Sequence, residues 1–125
     1  LIGSGQFVES PPVPRSSMVA NVNVDSPQPW GPTRDVAAIG LDMTDMGAVF
    51  EEVVRGYGLE PAGDPNPMAG SFYRSDQLSF AKAGIPALCF GPGSIAQAHT
   101  ADEWVAVEEI RVATRVLERL LQVRR

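Results

Sequence analysis

Side chains sort into two rows between positions 18 and 25, one wholly apolar and the other mainly polar. Met18, Ala20, Val22 and Val24 share one side, and Val19, Asn21, Asn23 and Asp25 the other, so a strand is predicted with Asp25 at its carboxyl end. A loop follows through Pro27, Pro29, Trp30 and Pro32, which neither a helix nor a central strand tolerates. Residues 35–41 are nearly all apolar and read as a second strand, covered on both faces. Met46, Val49, Phe50, Val53, Val54 and Tyr57 then recur at helical spacing, with Thr44 or Asp42 as the cap and Gly56 and Gly58 as the stop. Residues 59–70 read as loop with room for one short strand. Ser75 or Asp76 caps a short helix through Leu78, Phe80 and Ala81, ended by Gly84, with capping the favoured role for Ser75. Residues 85–90 form a buried strand. Residues 105–123 form the longest helix, with Ile110, Ala113, Leu117, Leu120 and Leu121 on its apolar face and Glu108 and Glu109 complementing the dipole of its first turns. Residues 1–10 are either the tail of a helix or an irregular lead-in, closed by Pro11, Pro12 and Pro14.

Strands alternate with helices, so the predicted class is α/β with a mixed, mainly parallel sheet. In such sheets functional groups gather beyond the carboxyl ends of strands. Asp25 stands at one such end, and His99 lies in the loop after the 85–90 strand.

Composition narrows the functional classes. The 125 residues suffice for one domain, and 44% hydrophobic with 20% charged residues is ordinary for a globular protein. A net charge of −5, with no basic stripe, argues against a nucleic-acid partner. No apolar run approaches the roughly 18 residues that span a bilayer. Residue 1 is not Met and no targeting segment is visible, so the chain reads as the interior of a longer one. Cys89 is the only cysteine, which excludes an internal disulfide and suggests a buried small hydrophobe rather than a reactive thiol. No phosphate-binding loop or nucleophile elbow is present. His99 is the only histidine. It cannot be half of a two-histidine site, but it can be the last ligand of a metal site assembled from earlier residues.

Two stretches carry a resemblance. Asn21-Val22-Asn23-Val24-Asp25 resembles the strand end that gives a metal-binding aspartate in the M28 family of zinc-dependent exopeptidases. The run from Phe72-Tyr73-Arg74-Ser75-Asp76-Gln77 to Phe80-Ala81-Lys82-Ala83-Gly84-Ile85-Pro86-Ala87 resembles that family's Ser-Asp-His block, with Gln77 where His is frequent. Leu1-Ile2-Gly3-Ser4 with Pro11-Pro12-Val13-Pro14 looks like the stretch after the family's paired glutamates. The tail, Gly91-Pro92-Gly93 through His99-Thr100-Ala101-Asp102-Glu103-Trp104, is closer to the C-terminal metal-ligand segment of the related M20 metallopeptidases and deacylases.

The resemblance implies part of a three-layer α/β/α sandwich, with residues 1–125 as the C-terminal portion of one peptidase catalytic domain. It implies two zinc ions, Asp25 a terminal oxygen ligand to one and His99 a terminal nitrogen ligand to the other. It implies Asp76, Asp102 and Glu103 as residues supporting these ligands, although helix-terminal charge explains Asp102 and Glu103 equally well. Tyr73 becomes a candidate donor to a developing oxyanion. Trp30 either lines the substrate cleft or packs beside it, and the 61–70 loop borders the pocket. The remaining ligands and the glutamate base would precede Leu1, so the isolated chain is expected to bind zinc weakly and to hydrolyse nothing. The leading expectation is an aminopeptidase-like enzyme acting on peptides through a metal-activated water. An M20-like deacylase of N-acyl amino acids and a catalytically dead binding module are the alternatives.

Overall fold

The structure is a computed structural model that describes residues 1–25, 34–91, 101–102 and 105–122. Its elements are α1 (Ile2–Glu9), β1 (Asn21–Val24), β2 (Asp35–Ile39), α2 (Met46–Gly56), β3 (Glu60–Ala62), α3 (Gln77–Lys82), β4 (Ala87–Phe90) and α4 (Val107–Gln122). Single turns of 3-10 helix occupy Arg15–Ser17, Leu41–Met43, Pro67–Ala69 and Ser71–Arg74. The α/β reading from the sequence holds, and residues 1–10 prove mainly helical.

The four strands form one mixed, mainly parallel sheet in the order β1-β4-β2-β3. β1 runs parallel to β4, with Val24 opposite Phe90, and β2 runs parallel to β3. The contact between the two pairs is antiparallel, Ala38 opposite Phe90 and Ile39 opposite Cys89. The carboxyl ends of β1 and β4 therefore share one rim of the sheet, and those of β2 and β3 share the other.

Period-two alternation sorts the side chains into two layers. Leu88 and Phe90 join Ala38, Phe50, Val53, Val54, Val116 and Leu120 in the core beneath α2 and α4, with Val22 of β1 packed at its border. Phe50 and Phe90 meet edge to face, 6.2 Å between ring centroids. The opposite face carries α3, which packs on β1 and β4, and α1, which packs on α3. Phe7 and Phe80 join those two helices at 5.8 Å.

Local chemistry explains the boundaries. The Met46 amide donates to Thr44 Oγ1 at 3.3 Å, so Thr44 supplies the side-chain cap of α2. β4 starts later than residue 85, because Pro86 has no amide to donate, although its carbonyl accepts from the Asn21 amide at 2.8 Å. The apolar face of α4 differs from the one expected. Val116 and Leu120 are buried, with Val112, Ala113 and Leu117 beside them, while Ile110 and Leu121 are exposed. The residues at i, i+4 and i+8 from Val112 set this stripe, and the short strands below leave its flanks uncovered.

The two glutamates that open α4 also diverge. Glu108 is exposed and pairs with Arg111 at 3.1 Å and Arg115 at 3.3 Å. Glu109 is only 5% exposed, and neither of its carboxyl oxygens has a hydrogen-bond partner among the described residues. Burial pushes its carboxyl above the ordinary range, with only the backbone contact to Ala106 opposing it.

Gly40 turns the chain out of β2 at φ 95°, and a Cβ there would stand 2.6 Å from Phe72 Cε2. Gly58 has a similar φ of 72° but open space around it. Gly58→Ala is expected to cost about 1 kcal/mol of stability, and Gly40→Ala about 2–4 kcal/mol because Phe72 must also move. Urea denaturation compares the two, and equal costs would show that the ring gives way freely.

A carboxylate whose folded-state proton affinity is raised favours the fold at low pH and opposes it once ionised. Glu109→Met is therefore expected to stabilise the protein at pH 7 by about 1–3 kcal/mol. That gain should shrink as the pH falls through the range where Glu109 takes up its proton. Denaturation midpoints at pH 7 and pH 4 check both signs.

Candidate functional site

The rim formed by the carboxyl ends of β1 and β4 holds the chemistry. The Asp25 amide donates to the Phe90 carbonyl at 3.1 Å, extending the ladder by one step and setting the Asp25 side chain beside the exit of β4. Asp25 is exposed there. Its Oδ2 accepts a hydrogen bond from Ser75 Oγ.

Behind this carboxylate lies a polar cluster between β1 and α3. Asn23 Nδ2 donates to Ser75 Oγ at 2.8 Å and to Gln77 Oε1 at 3.1 Å, and Cys89 Sγ lies 3.6 Å from the same nitrogen. Gln77 is fully buried and donates through Nε2 to the Phe72 carbonyl at 2.8 Å. Ser75 does not cap α3 through its side chain, as its sequence position suggested. Its hydroxyl goes to the charged Asp25 acceptor instead, and charge-assisted hydrogen bonds are about twice as strong as neutral ones. Asn23 and Gln77 were not singled out as site residues. The signal was present, since Asn23 is polar on a strand side that α3 covers, and Gln77 stands beside the Ser75-Asp76 pair.

The other candidates lie apart from this cluster. Asp76 accepts from Ser4 Oγ at 2.8 Å, a contact with α1 and not with the Asp25 cluster. Tyr73 is 59% exposed, packs edge to face on buried Phe72 at 5.7 Å, and lines a cavity of about 290 Å³ with Ile39, Gly63 and Asp64. That cavity opens near the carboxyl ends of β2 and β3, on the rim opposite Asp25. Asp102 is exposed. His99, Glu103 and Trp30 lie outside the described residues.

Among the described residues, no three His, Cys, Asp or Glu side chains gather closely enough to hold a metal ion. What the rim does provide is one carboxylate that accepts from a hydroxyl, itself held by the partly buried amide of Asn23. Metal ligands are ordinarily supported in this way. No helix among the described residues is long and apolar enough to cross a membrane.

The profile of Peptidase family M28 matches residues 1–121. The chain belongs to peptidase family M28. It is also similar to the N-acetyl-L-citrulline deacetylase of Xanthomonas campestris pv. campestris, with 34% identity over 94 residues, covering 59% of this chain and 25% of the relative. The chain thus spans about a quarter of the length of that curated relative. No solved structure matches it. Both matches are to hydrolases of amide bonds, as the sequence motifs implied.

Cys89 stands next to this rim but is not equipped for nucleophilic work. Burial pushes its thiol up to about 11, the Asp25 charge adds to the rise, and contacts from Asn23 and Ser75 only partly offset it. Alkylation by iodoacetamide at pH 8 is expected to run about a hundredfold slower in the native protein than in denaturant, and to accelerate only toward pH 11. Equal rates in the two states would show the thiol to be open and ionised.

Proposed function

We propose that the chain contributes metal ligands to the catalytic centre of a co-catalytic two-zinc exopeptidase, aminopeptidase-like, as the C-terminal portion of its catalytic domain. The observation that carries this reading is the Asp25 carboxylate at the rim shared by the carboxyl ends of β1 and β4, hydrogen-bonded by Ser75. Asp25 offers a hard oxygen donor and His99 an imidazole nitrogen, both of which suit zinc. Zinc, when bound, lowers the pKa of water and polarises the scissile carbonyl. Ser75 holds the Asp25 carboxylate in one direction, so that its charge is presented to the rim rather than averaged over rotamers. Asp76, Asp102 and Glu103 are proposed as supporting residues. Tyr73, a candidate oxyanion donor by its place in the sequence, lies on the rim opposite Asp25, so no such role is proposed for it.

A zinc ion in a catalytic site usually has three protein ligands. Asp25 and His99 fall short of that for either ion, so the 125 residues alone should bind zinc weakly and show no hydrolysis. The likeness to an N-acetyl-L-citrulline deacetylase favours a second reading, in which the substrate is an N-acyl amino acid rather than a peptide.

The test uses the complete protein that contains this chain. It should bind zinc and hydrolyse aminoacyl anilides faster than N-acetyl amino acids. Asp25→Ala and His99→Ala should each lower the zinc content and reduce kcat/KM by about a hundredfold or more. A preference for N-acetyl amino acids would move the assignment to the deacylase reading. Full activity in Asp25→Ala would overturn the ligand role, and absence of both zinc and hydrolysis would leave a binding module.

A further inference from the structure

We propose that Gln77 is a positioning residue that sets the direction of the Asp25 carboxylate through two intervening side chains. The proposal builds on the reading of Asp25 as a metal ligand, but its geometry stands without a metal.

A single backbone carbonyl decides every donor and acceptor in the cluster. The Phe72 carbonyl can only accept, so the Gln77 atom 2.8 Å away must be Nε2. Gln77 Oε1 is then the atom turned to Asn23, so the Asn23 atom 3.1 Å from it must be the donor Nδ2. The same nitrogen reaches Ser75 Oγ at 2.8 Å and donates to it. A serine hydroxyl has one proton. With its oxygen accepting from Asn23, Ser75 directs that proton to Asp25 Oδ2. The relay thus has one polarity, from the Asp25 carboxylate back to the backbone that precedes α3.

Burial makes this polarity expensive to reverse. Gln77 is fully buried, and an alternative orientation would set two oxygens or two N–H groups face to face without water to separate them. None of the three relay side chains is ionisable, so the relay keeps its direction across the working pH range of a peptidase. A glutamine at this position therefore does what a neutral histidine of suitable tautomer could do, without the tautomer or the charge varying.

The experiment reads the Asp25 side chain itself. Aspartate-labelled intact protein, freed of metal, is examined by NMR for the three-bond couplings that report the Asp25 χ1 rotamer. The native protein should show one rotamer. Gln77→Met should average it over at least two while the methyl shifts of Leu88 and Val116 stay in place. Gln77→His, with one nitrogen to donate to Phe72 and one to accept from Asn23, should restore a single rotamer at pH 8. If Gln77→Met does not fold, Asn23→Ala cuts the same relay one joint later and should give the same averaging. A single Asp25 rotamer retained in a folded Gln77→Met or Asn23→Ala protein would overturn the proposal, because the relay would then not be what sets the carboxylate's direction. Zinc titration of the same variants answers separately for the ligand role. Averaging of Asp25 with unchanged zinc affinity would leave the relay standing and remove Asp25 from the metal site.

Discussion

β4 is hydrogen-bonded along both edges and buried at all four of its residues. On one edge it pairs with β1 in parallel, on the other with β2 in the opposite sense. Every contact that matters for the site is referred to this strand. Leu88 and Phe90 point into the apolar layer under α2 and α4, which fixes the register from below. Cys89 points the other way, into the layer that Asn23 and Gln77 occupy. A shift of one residue would exchange the two sets, turning Cys89 toward Phe50 and Val116 and setting Leu88 and Phe90 against the amides of Asn23 and Gln77, so the register has no nearby competitor. The position of Asp25 follows, because its amide is the next donor to the Phe90 carbonyl.

The polar layer is built from residues whose local preferences are overruled. Ser75 has the spacing of a helix cap, and α3 has only six residues, too few to be stable by itself. Its tertiary partners hold it in place: Gln77 reaches back to Phe72 and across to Asn23, and Phe80 packs on Phe7. The helix cap is given up so that a hydroxyl can face a carboxylate. Such local conflicts tend to concentrate where a protein performs chemistry.

Much of this was legible in the chain. The alternation through Val22 and Val24 announced β1, the spacing of Phe50, Val53 and Val54 announced α2, and the sheet class followed from their order. The block around Ser75 and the strand end at Asp25 carried the family likeness that the M28 match bears out. Other features were hidden for physical reasons. Periodicity alone does not reveal which stripe of α4 faces the sheet, since Ile110 and Leu121 are as apolar as Val116 and only the extent of the strands beneath decides among them. Nor does charge pattern distinguish Glu108 from Glu109, which differ by one helical step and thereby by solvent against interior. The Asn23–Gln77 contact joins residues far apart in sequence, and no local rule anticipates it.

The reversal of direction between β4 and β2 has an evolutionary implication. Segments that leave β1 and β4 emerge on one rim, while the proline-rich stretch after β3 emerges on the other. Changes of length or composition in that stretch need not disturb the carboxylate across the sheet. The architecture thus lets the surroundings of Tyr73 be remodelled by insertion, deletion or exchange without displacing the Asp25 rim.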